Sequence, residues 1–271
     1  MKVAAVVVVH GSPPSLLACL AALGAEVEET VVVANVAGSL PELPAGVRLL
    51  EAPRPRGFAA NANAGIRATG AEAVLLANPD AIASPGAVRT LAEAMTARPR
   101  CGVAGPELRY PDGRWQPSRR RFPTPGGTIV RRTPLRWLLQ PRRRQRRHYL
   151  LDERPSEPVE ADWLLGAFLL LRRGMLDELG GFDEGYRLYC EDIDLCYRAA
   201  RAGWERWYVP GAVVVHDYAA EIDRRFLTRG TLWHLWGMLR FVRKHPERLV
   251  GRRPDPRDGA TPAAPRGIPR P

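Results

Sequence analysis

Residues Val3–Val9 are seven consecutive apolar positions, five of them valine. A run this short cannot cross a bilayer, which takes roughly 20 residues. Its β-branched, uninterrupted character is that of a strand covered on both faces, as in a parallel sheet flanked by helices. Ser12 followed by Pro13 and Pro14 reads as the N-cap and first turn of a helix reaching about Leu23. Val31–Ala34 and Val47–Leu50 are two further short strands, and the β-α-β order predicts an α/β, mononucleotide-binding type of opening. Gly57–Ile66 (G-F-A-A-N-A-N-A-G-I) is expected to be a helix with Asn61 and Gly65 on one face and Asn63 near the opposite side. Its small residues suit either a ligand approaching the backbone or close packing on the sheet. The next strand, Glu72–Ala77, ends at Asn78-Pro79-Asp80. Ligands of open α/β sheets gather at the carboxyl ends of strands, so Asp80 stands where a metal or phosphate would lie, although the same residues also make an ordinary turn. Ser84-Pro85 then predicts a capped helix to about Thr96. No G-x-G-x-x-G and no P-loop occurs, so a nucleotide bound here calls for a divalent cation to offset its phosphates.

The remainder of the chain carries the charge and the acids. Net charge is +11, and Gly113–Leu151 holds twelve Arg with no Asp or Glu, including Arg119–Arg121 and five Arg within Arg142–Arg147. This tract reads as a basic loop near a phosphate-bearing substrate, as a peripheral membrane contact or as a solvated face; a nucleic-acid footprint is disfavoured for want of regularly spaced aromatic residues. A P-D-G turn between Glu107 and Trp115 predicts a hairpin. Val159–Arg173 predicts two strands around a turn at Gly166, then a short helix stopped by Gly180-Gly181. In Leu188–Ala199 (L-Y-C-E-D-I-D-L-C-Y-R-A), Glu191, Asp192 and Asp194 fall in the first turn of a helix, where unpaired N–H groups favour negative charge. That placement fits a catalytic cluster and a plain capped helix alike. Trp204–Tyr208 and Val213–Val215 read as strands, with His216 at the end of the second. Asp223–Lys244 reads as a long helix, packed on the domain or lying at a membrane surface with its Trp residues in the interface. From Gly251 the Pro- and Arg-rich composition predicts a disordered tail. The four Cys residues form no C-x-x-C pair, which argues against zinc and disulfides and suits a reducing cytoplasm. No signal peptide or membrane span is expected.

Taken in order, these pieces resemble the family 2 glycosyltransferases of the inverting GT-A type, and within them the bacterial rhamnosyltransferase-like branch. The motifs that carry the resemblance are V-V-V-V-H-G-S, G-F-A-A-N-A-N-A-G-I, the N-P-D strand end, E-L-R-Y-P-D-G, W-L-L-G-A-F-L-L-L-R-R, G-G-F-D-E-G-Y, E-D-I-D-L-C-Y-R-A and V-V-V-H. The resemblance implies a single Rossmann-like domain over residues 1–250, with a donor-binding half (1–105), an acceptor and catalytic half (106–217) and a helical segment (218–250), followed by the tail 251–271. It implies transfer of a sugar from a nucleoside diphosphate to an acceptor hydroxyl with inversion. By likeness Asp192 would be the base and Glu191 would orient it or the acceptor. Asn35, Gly57, Asn63, Asn78 and Asp80 would surround the donor, and Trp163, Gly166 and Arg172 the acceptor. Asp80 and His216 would hold Mg²⁺ or Mn²⁺. The implied partners are a dTDP-rhamnose or UDP-sugar donor and a cell-envelope glycan or polyprenyl-diphosphate acceptor, met at the cytoplasmic face of the membrane. Val33-Ala34-Asn35 departs from the family's usual Val-Asp-Asn, and Pro55 stands where an Asn is common. A sugar-nucleotide-binding relative without turnover is the second reading.

Overall fold

In the computed structural model, residues 1–123, 146, 148–217, 228–250 and 254 are described. Strand β1 (Val3–Val9) lies at the centre of the opening unit, parallel to β2 (Glu29–Ala34) on one side and to β4 (Ala73–Ala77) on the other. Strand β3 (Val47–Glu51) extends this parallel set at the edge and is largely exposed. Every β1 residue is buried, and the pleat sends alternate side chains to two cores. Val6 and Val8 pack toward helix α2 (Phe58–Arg67), whereas Ala5, Val7 and Val9 pack toward α1 (Leu16–Leu23) and α3 (Ala87–Thr96). Each buried valine contributes about 1.5–3 kcal/mol relative to exposure, which explains why the apolar run is unbroken.

Beyond β4 the sheet turns mixed. Strand β11 (Phe168–Arg172) inserts antiparallel between β4 and β6 (Cys101–Arg109). Strand β12 (Glu205–His216) runs parallel to β6 and antiparallel to β5 (Ala81–Ala83). The path is therefore β3-β2-β1-β4-β11-β6-β12-β5. Short β7 (Trp115–Gln116) closes the P-D-G hairpin onto β6, β9 (Val159–Glu160) pairs with β12, and β8 (Arg119–Arg120) pairs with β10 (Trp163–Leu164) in a separate ribbon. The expected border at 105–106 falls inside the continuous strand β6, so one sheet runs through both halves. Helix α4 (Arg173–Leu179) ends at Gly180 and Gly181, both left-handed, as expected.

Several local expectations are corrected. Helix α1 starts at Leu16, with Ser12-Pro13-Pro14 forming a preceding turn in which the Leu16 N–H donates to the Pro13 carbonyl. Ser84 does not cap α3, whose N-cap position is Gly86; its N–H donates to the Val213 carbonyl and its own carbonyl accepts the Ala87 N–H. The cap comes instead from Glu26, whose carboxylate accepts the N–H groups of Gly86, Val88 and Arg89; an acid placed there also complements the helix dipole. The two strands expected over 204–215 are one strand, with an irregularity between Val209 and Val213 around Pro210, a residue that cannot donate to the ladder. In α2, Gly65 lies against the sheet so closely that a Cβ would sit 2.3 Å from a Val6 methyl, which decides that face in favour of packing. Helix α6 is described over Arg229–Lys244, capped by the Thr228 hydroxyl. Residues 223–227 of the expected helix, residues 124–145 and 147 of the basic tract, and the tail apart from Pro254 lie outside the described residues.

The acidic segment forms helix α5 (Glu191–Arg201), and its Asp194 is structural. The fully buried Asp194 carboxylate accepts bonds from Arg198 (2.7 Å), Lys244 (3.0 Å), His245 (2.9 Å) and the Tyr186 hydroxyl (3.2 Å). Burial opposes its charge, but the bonds from His245, Arg198 and Lys244 prevail and hold its pKa well below the ordinary carboxyl value. Asp194→Asn should therefore destabilise the fold by about 3 kcal/mol, since it strands buried cations. A depressed folded pKa stabilises above the unfolded value of about 3.9 and ceases to do so as pH falls through the folded value. Denaturant titrations of wild type and Asp194→Asn should accordingly differ most near neutrality and converge in strong acid.

Candidate active site

The carboxyl end of β4 is linked to the start of α5 through two backbone contacts. Ala77 pairs with Phe168, and the Asn78 N–H donates to the Ala167 carbonyl at 2.8 Å. One residue earlier, the Gly166 N–H donates to Asp192 Oδ2 at 3.0 Å, while the Ile193 N–H holds Oδ1 at 2.8 Å. Asp192, Gly166, Asn78 and Asp80 are thus brought to one edge of the sheet, where the sequence predicts Asp80 to stand. A Cβ on Gly166 would lie 3.2 Å from the Asp192 Cβ, so glycine is what admits the carboxylate to that backbone.

The approach to α5 is constrained. Tyr189 and Cys190 are both left-handed, with φ of 72° and 71°, a conformation costly for residues carrying a Cβ. Helix α6 supports this turn through Gly237, where a Cβ would come within 2.9 Å of the Tyr189 carbonyl oxygen.

Glu191 and Asp192 have different surroundings. Glu191 is buried, with Oε2 lacking a hydrogen-bond partner among the described residues. Burial foremost, and then the adjacent Asp192 charge, push its pKa up to about 8. Burial also raises Asp192, but the N–H groups of Gly166 and Ile193 and the nearby Arg120 guanidinium act against that rise. Two adjacent buried carboxyls hold one negative charge more readily than two. Asp192 is the ionised member, because it accepts two backbone N–H bonds.

Asp80 and His216 also come together. His216 Nε2 lies 3.6 Å from Asp80 Oδ1, and the imidazole is oriented by a 2.9 Å contact between Nδ1 and Gln116 Oε1. If Nδ1 carries the proton donated to Gln116, Nε2 presents a lone pair to the carboxylate. Two acceptors facing each other suit a shared cation, and a ligating histidine ordinarily has an acceptor behind it that fixes its tautomer, a role the Gln116 oxygen can fill here. The donor set therefore fits a hard divalent metal completed by substrate oxygens. Among the described residues no group of three or more His, Cys, Asp or Glu side chains forms a closed metal site.

Other expected site residues are occupied elsewhere. Asn35 bonds His10 Nδ1 and both the carbonyl and the N–H of Arg56, fastening the loop before α2. Gly57 allows the Arg187 carbonyl to approach, and that carbonyl takes the Phe58 N–H at the start of α2. The Asn63 amide bonds Glu184 and both backbone groups of Phe182. Arg172 is corrected most clearly. It pairs with Ala73 at the opposite end of β4, and its guanidinium binds the carbonyls of Met95, Arg98 and Cys101. Trp163 is buried, with its indole N–H on the Arg121 carbonyl and its ring beneath Arg120. Gln116 and Arg120 are not distinguished individually by any motif in the sequence. The strand signal at Trp115–Gln116 and the alternation of Arg119–Arg121 are the features that could have identified them.

Residues 3–229 match the family described as glycosyltransferase like family 2. The N-acetylglucosaminyl-diphospho-decaprenol L-rhamnosyltransferase of Mycobacterium tuberculosis (strain ATCC 25618 / H37Rv) is 42% identical over 154 residues, covering 56% of this chain and 48% of that protein. Rhamnosyltransferase WbbL of Escherichia coli (strain K12) is 39% identical over 92 residues, 32% of this chain and 34% of that protein. The chain thus spans about half the length of the first relative and about a third of the second. Among solved structures, GalNAc-T7 with UDP, GalNAc and Mn²⁺ superposes with a TM-score of 0.62 at 14% identity, covering 89% of this chain and 47% of that one. Mannosyltransferase PcManGT from Pyrobaculum calidifontis, in complex with GDP-Man and Mn²⁺, gives 0.56 at 20% identity, covering 94% and 66%. At these identities the likeness is one of fold, the GT-A fold.

The carboxyl pair makes a direct prediction. In Asp192→Asn the neighbouring charge that helps raise Glu191 is gone, so the Glu191 pKa should fall from about 8 yet stay above an ordinary glutamate, because burial persists. Difference infrared titration of the carboxyl band checks both directions.

Proposed function

Since the chain belongs to the family 2 glycosyltransferases, we propose that it is an inverting glycosyltransferase, moving a sugar from a nucleoside diphosphate to a hydroxyl of a lipid-linked or cell-envelope glycan. The observation that carries this reading is the Asp192 carboxylate, held on the Gly166 and Ile193 N–H groups at the same sheet edge as Asp80 and His216. Asp192 takes the acceptor proton as the hydroxyl oxygen bonds to the anomeric carbon. The bond from that carbon to the diphosphate oxygen breaks with its electron pair leaving on the diphosphate. Glu191, retaining its proton, adds no second negative charge beside the base and keeps Asp192 the only ionised member of the pair. Asp80 and His216 would hold Mg²⁺ or Mn²⁺, which when bound neutralises charge on the departing diphosphate. The relatives' names favour L-rhamnose as the sugar, carried on dTDP, with UDP-sugars as the other candidates. The names also favour a polyprenyl-diphosphate acceptor.

A lipid-linked acceptor brings the enzyme to a membrane, and α6 offers a contact. Leu232, Trp236 and Leu239 are 58%, 69% and 48% exposed at helical spacing, with Arg240 and Arg243 exposed beside them. An apolar stripe with adjacent cations fits the surface of an anionic bilayer. Among the described residues no helix is long and apolar enough to cross one.

Asp192→Asn should lower kcat by about 10² to 10⁴, the usual extent of general-base catalysis, while leaving donor binding intact. Asp80→Ala should abolish the Mn²⁺-dependent thermal shift produced by the donor nucleotide. Full activity in Asp192→Asn would remove it as the base. On anionic vesicles, Trp236→Ser should weaken flotation at low salt relative to wild type, whereas unchanged flotation would remove α6 as the contact.

A further inference from the structure

Three consecutive arginines form and follow β8, and they do not share one fate. Arg119 and Arg121 both reach Glu153, at 2.9 and 3.6 Å, so their charge is offset within the fold. Arg120 points elsewhere, as the alternation of an extended segment requires. Among the described residues no carboxylate lies within ion-pair distance of it; its Nε makes only a long contact, 3.4 Å, to the Pro117 carbonyl. Its guanidinium is instead placed over two aromatic rings, with its central carbon 4.8 Å from the Tyr149 centroid and 5.2 Å from that of Trp163. Such contacts fix a guanidinium plane without using its N–H donors. The group is near enough to Asp192 to favour that residue's ionised form. A half-buried, oriented cation with unused donors beside a catalytic base is a place for an anion.

We propose that Arg120 binds the phosphate of a diphosphate-linked acceptor and so selects acceptors of that class. The proposal rests on the glycosyltransferase reading above. In a single displacement the nucleophile approaches the face of the sugar opposite the leaving group, so acceptor and donor diphosphate occupy opposite sides of the anomeric carbon. Asp192 marks the acceptor side and the Asp80–His216 pair the donor side. Arg120 stands with Asp192, since its strand β8 pairs with β10, whose Trp163 leads directly into the Gly166 turn that holds the base. An arginine suits this task because its planar fork matches phosphate oxygens in a way that an ammonium does not. Of the described arginines of the basic tract, Arg120 is the one that suits the phosphate-side reading, which the sequence left open beside a membrane contact and a solvated face.

The test uses two acceptors bearing the same sugar, one joined to a short prenyl chain through diphosphate and one to a neutral alkyl chain. For each, equilibrium binding and turnover are measured with the full chain, its donor and Mn²⁺, in wild type, Arg120→Gln and Arg120→Lys. Losing a charge-assisted phosphate contact should weaken binding of the diphosphate acceptor, and raise its KM, by about 10- to 100-fold in Arg120→Gln. Equilibrium binding of the neutral acceptor and the donor-induced thermal shift should change by less than about twofold, while any loss of turnover from the weaker support of the Asp192 charge should be common to both acceptors. Arg120→Lys should recover part of the loss and none of the bidentate geometry. Equal effects on the binding of both acceptors would overturn the proposal and leave Arg120 only a support for Asp192, which a displaced acid limb of the pH–rate profile would reveal. Loss of the donor shift would overturn it in favour of the donor diphosphate. Unchanged affinity of Arg120→Gln for the diphosphate acceptor would overturn it outright. A wild type that binds both acceptors and glycosylates neither would instead overturn the transferase reading, leaving the binding comparison to decide Arg120.

Discussion

The antiparallel insertion of Phe168–Arg172 between two strands of otherwise parallel parentage is the constraint on which the site depends. Pairing with Ala73–Ala77 fixes where the 165–167 turn emerges, and that turn supplies both the Ala167 carbonyl for Asn78 and the Gly166 N–H for Asp192. The first half of the chain contributes Asp80 at the end of its own strand. Without the inserted strand, the residues on α5 would have no backbone tie to that edge. Register is strongly specified here, because a one-residue slip of β11 would turn its buried Leu169 and Leu171 to the opposite core.

Much of this was legible in the sequence, for identifiable reasons. Val3–Val9, Ala73–Ala77 and the helix after Gly57 announce themselves through period and composition, and the strand-end positions of Asp80 and His216 follow from those elements. Glu191 and Asp192 were legible as a pair, although their different surroundings were not, since burial and the approach of Gly166 are tertiary facts. Sequence reasoning failed where a polar side chain is committed to distant backbone. Asn35, Asn63 and Arg172 stand in or beside motif positions, yet their hydrogen bonds hold loops and strand ends together. The Glu26 cap on α3 was likewise invisible, because it comes from 60 residues away in the chain.

The net of +11 already subtracts the carboxylates, yet many arginines are engaged within the fold. Arg119, Arg121, Arg154, Arg198 and Arg206 all have carboxylate partners, and Arg98 and Arg100 lie over Trp207 and Trp204. Most described arginines are therefore construction material for a chain nearly without lysine. This is why an arginine in the site with no carboxylate partner among the described residues is informative where a count of arginines is not.

Asp194 lies two residues beyond the proposed base, yet His245, one of its partners, is made 51 residues later. During synthesis, the acid that anchors α5 and its nearest cation, Arg198, are therefore available long before Lys244 and His245 complete the cluster, and so is the left-handed Tyr189–Cys190 turn before Gly237 arrives to support it. The helix bearing the proposed base has its full set of supports only once α6 has docked. A chain clipped before α6 keeps the Arg198 pair but loses the Lys244 and His245 contacts to a fully buried carboxylate, so the start of α5 is less firmly held.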